Sequence, residues 1–202
     1  LISDVLSQFC SELSVVSHYP SISNESPSLH VDVLEIPSHR FELTYKSVNV
    51  PRPDHRKFWR AVDAMKAGRP FTWTPPLANG VMGIQGVGGN AQAIEAVAGS
   101  LVISVRNAPP NVTWLKAGDM INFANHTKVY EVEEDVTTDN AGLAAMTLNA
   151  PLKVALPDNT TVIGTGATFT LIRKPGSKPQ QFQLKGARRD VSYAEMEFIE
   201  LL

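Results

Sequence analysis

The sequence predicts a mainly β fold of the α+β class with one helix. Three observations carry this. Runs with a strict period of two recur along the 202 residues. Turn chemistry separates them at intervals of roughly 8–12 residues beyond position 100. Only one segment has a convincing helical stripe. At 43% hydrophobic and 19% charged residues, the chain can bury a core without metals or disulfides.

The elements follow in order. Residues Leu1 to Val16 admit a short helix or a strand. Ser17 to Ser28 holds two prolines, an asparagine and five serines and reads as loop. Val31 and Val33 alternate with Asp32. Phe41, Leu43 and Tyr45 alternate with Glu42, Thr44 and Lys46, the mark of a half-buried strand. Pro53 and Asp54 then open a helix over Asp54 to Lys66, since proline fits the first turn and an acid complements the N-terminal dipole. Phe58, Val62 and Met65 form its apolar stripe, widened by Trp59 and Ala61, and Gly68 with Pro70 ends it. Phe71 to Thr74 is a short aromatic strand closed by Pro75 and Pro76.

Ala78 to Asn90 is rich in Gly and Ala and reads as a linker, with a short helix possible over Ala91 to Ala98. From Leu101 the texture is β: Leu101 to Arg106, Met120 to Phe123, Val129 to Val136, Ala144 to Leu148, Thr161 to Ile163 and Thr168 to Arg173. Asn107 to Asn111, Lys116 to Asp119, Asp139 to Gly142 and Pro157 to Asn159 supply turns. Phe182 to Lys185 and Tyr193 to Leu202 close the chain as strands. The spacing suggests a small barrel or sandwich.

Composition excludes several functions. A formal charge of −2 argues against a dedicated nucleic-acid binder. One cysteine, Cys10, excludes an internal disulfide framework and reads as a structural thiol rather than a nucleophile. No apolar run reaches membrane-spanning length, and the first ten residues lack the basic start of a signal peptide. The sequons at Asn24, Asn111, Asn125 and Asn159 then read as chance matches.

Four patterns raise chemistry. Gly86-Val87-Gly88-Gly89-Asn90-Ala91 matches a dinucleotide fingerprint, but no strong strand precedes it and Arg106 stands where an acid is needed, so a linker or bent strand is the better reading. His30 and Asp32 share a strand face and could pair on a metal with His39 as third ligand, a weak signal beside loop-flanking histidines. Glu131, Glu133, Glu134, Asp135 and Asp139 form an acidic cluster without calcium-loop spacing, read as a solvated hairpin face. Phe58, Trp59, Phe71 and Trp73 read as core rather than a sugar platform, which leaves Trp114, beside the Gly118 turn, as the expected exposed aromatic. No catalytic, cofactor-binding or metal-ligating residue is expected.

The order of elements carries a resemblance. Arg40 to Tyr45 is a strand; Asp54 to Lys66 is a helix ending at Gly68-Arg69; Phe71-Thr72-Trp73-Thr74-Pro75-Pro76 follows. Next come Leu115 to Asp119, Lys128 to Val132 and Asp135 to Asp139, with a terminal strand from Tyr193 to Leu202. From Val31 to Leu202 this resembles the distal tail proteins, the tail-tip hub rings of long-tailed bacteriophages. The resemblance implies a tail-tube-like β-sandwich plus helix, formed by residues 1–80 and 168–202, which makes the inner belt of a ring. Residues 81–167 would be an inserted small β-barrel, OB-fold or galectin-like, that projects outward toward fibres or a host polysaccharide. The implied protein is a structural virion component and not an enzyme. It would be a homo-hexamer at the distal end of the tail, assembled in the bacterial cytoplasm. It would join the tail tube protein to the central hub, baseplate proteins and fibres, with DNA passing through the lumen without specific binding. Arg188-Arg189 would serve a subunit contact or turn. The alternatives are a carbohydrate-binding β module used in host attachment and a nucleotide-dependent enzyme using Gly86 to Gly89.

Overall fold

The computed structural model describes residues 2–25, 31–66, 68–75, 84–177, 180–185 and 190–202. The chain opens with α1 (Ile2–Gln8), then β1 (Cys10–His18), β2 (Ser21–Glu25), β3 (Val31–Glu35), β4 (Arg40–Ser47), β5 (Val50–Pro51), α2 (Arg52–Ala64) and β6 (Phe71–Trp73). It continues through β7 (Ala91–Ala93), β8 (Val102–Arg106), β9 (Thr113–Leu115), β10 (Met120–Phe123), β11 (Val129–Glu131), β12 (Val136–Thr137), β13 (Ala144–Thr147) and β14 (Thr160–Ile163). It ends with β15 (Phe169–Arg173), β16 (Phe182–Lys185), β17 (Asp190–Tyr193) and β18 (Met196–Glu200). Among the described residues the fold is mainly β with two short helices, an α+β arrangement.

Strand β4 shows how pattern becomes packing. Phe41, Leu43 and Tyr45 are buried, as their alternation predicts. Its other face carries Glu42, which bridges Arg40 at 2.7 Å and Lys174 at 2.9 Å. β4 sits inside a five-stranded antiparallel sheet ordered β1-β4-β18-β15-β6. Helix α2 lays Phe58, Ala61 and Val62 into the same core, followed by its C-cap Met65, with the Phe58 ring centroid 4.5 Å from that of Tyr193. It starts at Arg52, two residues before the expected Asp54. Pro51 and Pro53 fit the helix entrance, where an amide would lack a partner anyway.

A second helix corrects the expected single one. Within the span Leu1 to Val16, the described residues 2–16 divide into α1 and β1, because tertiary bonds hold seven residues too short to be helical alone. Tyr45 Oη donates to the Leu6 carbonyl at 3.0 Å, and Trp73 Nε1 donates to Ser7 Oγ at 3.0 Å. The expected loop over Ser17 to Ser28 is largely strand over residues 17–25, since β1 runs to His18 and β2 pairs antiparallel with β3; residues 26–28 lie outside the described residues. The alternation of Val31 and Val33 marked β3, but β2 is formed by backbone pairing rather than burial, so hydrophobic period could not announce it.

β6 and β15 are adjacent antiparallel partners, with Trp73 opposite Phe169. Between them the chain builds a second core around Trp114, Phe123, Tyr130 and Met146. Its six-stranded antiparallel sheet runs β11-β10-β14-β7-β8-β13. The sheet curls until its outer strands meet: Val132 bridges Leu148, and the Glu133 amide donates to the Thr147 carbonyl at 3.0 Å. This contact pairs part of each outer edge. Ala91 to Ala98, considered for a helix, instead contains central strand β7. Ala91 and Ala93 are buried there, small enough for the crowded interior of a curled sheet. Val129 to Val136 is not one strand; the acidic run from Glu133 to Asp135 interrupts it between β11 and β12.

The strand pair β10–β11 is a partition common to both cores. Met120 and Val129 face the first core, while Ile121, Phe123 and Tyr130 face the second. Cross-strand partners share a face, so the register Asn122 with Val129 and Ile121 with Tyr130 enforces the division.

Candidate assembly surfaces

The partition is fastened by a buried ion pair. Lys128 precedes β11 and Glu200 ends β18; Lys128 is 3% exposed as a side chain and Glu200 is 0%. Lys128 Nζ donates to Glu200 Oε2 at 2.9 Å and to the Val129 carbonyl at 2.6 Å. The carboxylate also accepts the Val129 amide at 2.7 Å and the Phe41 amide at 3.1 Å. The ammonium lies 4.9 Å from the Phe41 ring centroid and 5.3 Å from that of Tyr130. Burial pulls the Lys128 pKa down, and the Glu200 charge opposes that shift. Such a fully bonded pair fixes one geometry between elements distant in sequence.

His39 stands beside this seam and is itself buried. Its Nε2 is 2.8 Å from Ser17 Oγ, and its ring packs between Tyr19 and Phe41. Burial first, then the nearby Lys128 charge, lowers its pKa to about 4. It is therefore neutral at pH 7 and engaged within the fold. Of the considered trio with His30 and Asp32, His30 lies outside the described residues. Among the described residues no group of three or more metal-ligating side chains converges.

The glycine-rich pattern has a packing role. A Cβ on Gly86 would overlap the Trp114 carbonyl oxygen. Gly88 and Gly89 occupy the left-handed region at φ 68° and 97°. The Gln85 amide donates to Asp119 Oδ1 at 2.6 Å, and those of Gly86 and Lys116 to Oδ2 at 3.1 and 2.8 Å. Strand β7 follows, so no helix N-terminus awaits a phosphate. Trp114 corrects the sequence expectation: it is fully buried, and its Nε1 donates to the Gly89 carbonyl at 3.0 Å. The glycine segment covers the indole that neighbouring turn residues made look exposed. Phe58, Phe71 and Trp73 are core as expected; Trp59 is half-buried, with its ring 5.2 Å from Phe182.

The acidic cluster presents three consecutive exposed side chains, Glu133, Glu134 and Asp135. Asp135 Oδ1 accepts the Ala117 amide at 3.0 Å, and Asp139 Oδ1 accepts those of Ala141 and Leu143 at 2.8 Å each. These carboxylates therefore serve turns. Burial and the Glu133 charge raise the pKa of half-buried Glu131. Cys10 is half-buried, and burial raises its thiol pKa, away from the nucleophilic thiolate. Asn111 and Asn159 occupy left-handed turn positions at φ 56° and 67°. The Arg188-Arg189 pair lies outside the described residues.

Hairpin β2–β3 has the strongest character of an assembly surface. Ile22 and Leu34 are opposite each other, 58% and 66% exposed, on one face; Val31 and Val33 share the other, 52% and 59% exposed. A two-stranded ribbon with apolar side chains on both faces is poorly stabilised by itself. No family model and no curated protein matches the chain.

The seam and strand β2, with its pairing to β3, are the features that sequence reasoning missed. Lys128 and Glu200 are 72 positions apart, and neither stands in a motif. A signal for the hairpin existed: Val31, Val33 and Leu34 are apolar in a segment whose neighbours are polar. No helix among the described residues is long and apolar enough to cross a membrane.

Proposed function

We propose that this chain is a structural virion protein that builds a six-fold ring at the distal end of a bacteriophage tail. The ring would join the tail tube to the central hub and fibres, with DNA passing through its lumen. The observation that carries the reading is the insertion topology. The chain leaves a helix-backed sheet at β6, builds a closed second core, and re-enters at the neighbouring strand β15. That topology accords with a tail-tube-like belt domain of residues 1–80 and 168–202 and an inserted OB-like or galectin-like barrel of residues 81–167. The apolar hairpin β2–β3 supplies a surface that a neighbouring subunit would cover. The sugar-binding alternative loses its named contact, because Trp114 is buried.

Negative-stain microscopy and mass photometry of the purified protein test the reading. Six-fold rings of 132 kDa, six times 22.0 kDa, are expected. Ile22→Lys with Leu34→Asp should abolish them while changing monomer stability by no more than about 1 kcal/mol, twice the usual figure for one exposed position. Monomers at every concentration, or rings indifferent to the hairpin variant, would count against a ring closed by this surface.

A further inference from the structure

Charge is unevenly placed along this nearly neutral chain. Residues 52–69 carry six lysines and arginines against two aspartates, a net of +4, so the rest of the chain nets −6. Four of the six basic residues lie on α2. Arg52, Arg56 and Arg60 recur every four residues and therefore form one row on the helix surface. All three are exposed, and none has an acidic partner among the described residues. Arg56, Lys57 and Arg60 wall a groove of about 720 Å³ between α1 and α2. Its floor is apolar, from Val5, Ala61 and Ala64, and Asp4 is the one acid among its lining residues. The second core carries the opposite surface. Between Glu131 and Asp139 there are five acids and no lysine or arginine, and Glu133, Glu134 and Asp135 are all exposed.

A ring needs a heterologous contact, in which two different patches of the same chain meet. From the charge complementarity of these two patches, we infer that the arginine groove between α1 and α2 receives the acidic segment 131–135 of a second copy. This rests on the ring reading and adds a charged contact to the apolar one at hairpin β2–β3. The apolar floor excludes water beneath the ion pairs, which strengthens them relative to pairs free in solvent. The same arrangement sets the direction of assembly, because arginine rows repel each other and so do acidic segments.

The test uses the full-length chain in sedimentation equilibrium at 50 and 500 mM NaCl, with microscopy of the same samples. Arg56→Glu with Arg60→Glu, and separately Glu133→Arg with Glu134→Arg, should each weaken self-association about tenfold. The higher salt should weaken the wild type similarly. The fourfold variant with the charges exchanged should recover at least half of the lost association energy, and circular dichroism checks that every variant is folded. Rings that persist in both double variants overturn the contact and leave the ring reading standing. Salt-sensitive association rescued by exchange, but without rings, upholds the contact and removes the ring. A wild type that stays monomeric at both salts removes both. Duplex DNA binding lost in Arg56→Glu with Arg60→Glu, with self-association unchanged, assigns the arginine row to nucleic acid and overturns the inference.

Discussion

Replacing Glu200 by glutamine isolates the energetic role of the seam. The substitution keeps volume but removes the charge facing Lys128 and replaces one accepting oxygen with a donating amide. Three donors now converge on the carboxylate: Lys128 Nζ at 2.9 Å, the Val129 amide at 2.7 Å and the Phe41 amide at 3.1 Å. Glutamine can accept at one oxygen only, so at least one buried donor faces another donor. Leaving a buried charge unpaired costs about 3–5 kcal/mol, and an orphaned amide about 1–3 kcal/mol. Glu200→Gln should therefore cost about 4–8 kcal/mol, a large part of the 5–15 kcal/mol typical of a domain. Lys128→Met leaves the carboxylate with its two backbone donors and should cost about 3 kcal/mol. The double variant should cost at least ~1.5 kcal/mol less than the two singles combined, because the unpaired cation is gone. Urea unfolding followed by near-ultraviolet and far-ultraviolet dichroism gives all three values. A cost below ~1 kcal/mol for Glu200→Gln, or strict additivity, would refute the claim that the pair fastens the two cores.

Three further outcomes are expected. The neutral form of His39 is favoured in the fold, with its pKa lowered from 6.5 to about 4, so the unfolded chain binds more protons between those values. Stability should be undiminished by this group above pH 6.5 and fall by up to ~3 kcal/mol as the pH drops through 4. His39→Phe should flatten that part of the profile, and an unchanged slope would reject the assignment. Gly86→Ala places a methyl group against the Trp114 carbonyl and should cost about 1–3 kcal/mol, read as a lower Tm together with an altered near-ultraviolet tryptophan signal. Trp114→Phe removes the bond to the Gly89 carbonyl and some packing; a loss of about 1–2 kcal/mol is expected in denaturant titration, and a neutral result would mean the indole is not sealed.

Legibility in the sequence followed the range of the interaction. The alternation of Phe41, Leu43 and Tyr45, and the stripe of Phe58, Val62 and Met65, identified their elements because one buried face imposes a period. Trp114 misled because its neighbours are turn residues, while the segment that covers it arrives from Gly86 to Gly89. Ala91 and Ala93 have helical preference, yet the second core needs small residues in a central strand. Strand β2 is exposed along its whole length, so the hydrophobic signal that marked its partner β3 through Val31 and Val33 was missing there. The Lys128–Glu200 pair depends on a chain reversal that local pattern does not encode.

The shared wall β10–β11 has a consequence for how such a protein can diversify. A module hung on two linkers is exchangeable as a cassette, since its donor and acceptor surfaces are indifferent to each other. Here the strands that shape the second core also finish the first through Met120 and Val129. Glu200 is the socket into which Lys128 plugs. A transplanted replacement for residues 81–167 would have to bring an apolar pair and a lysine at those registers, or leave a hole and a stranded carboxylate in its host. Variation is therefore channelled to the loops and outer strands of the second core, while its inner wall is inherited together with the sheet it covers.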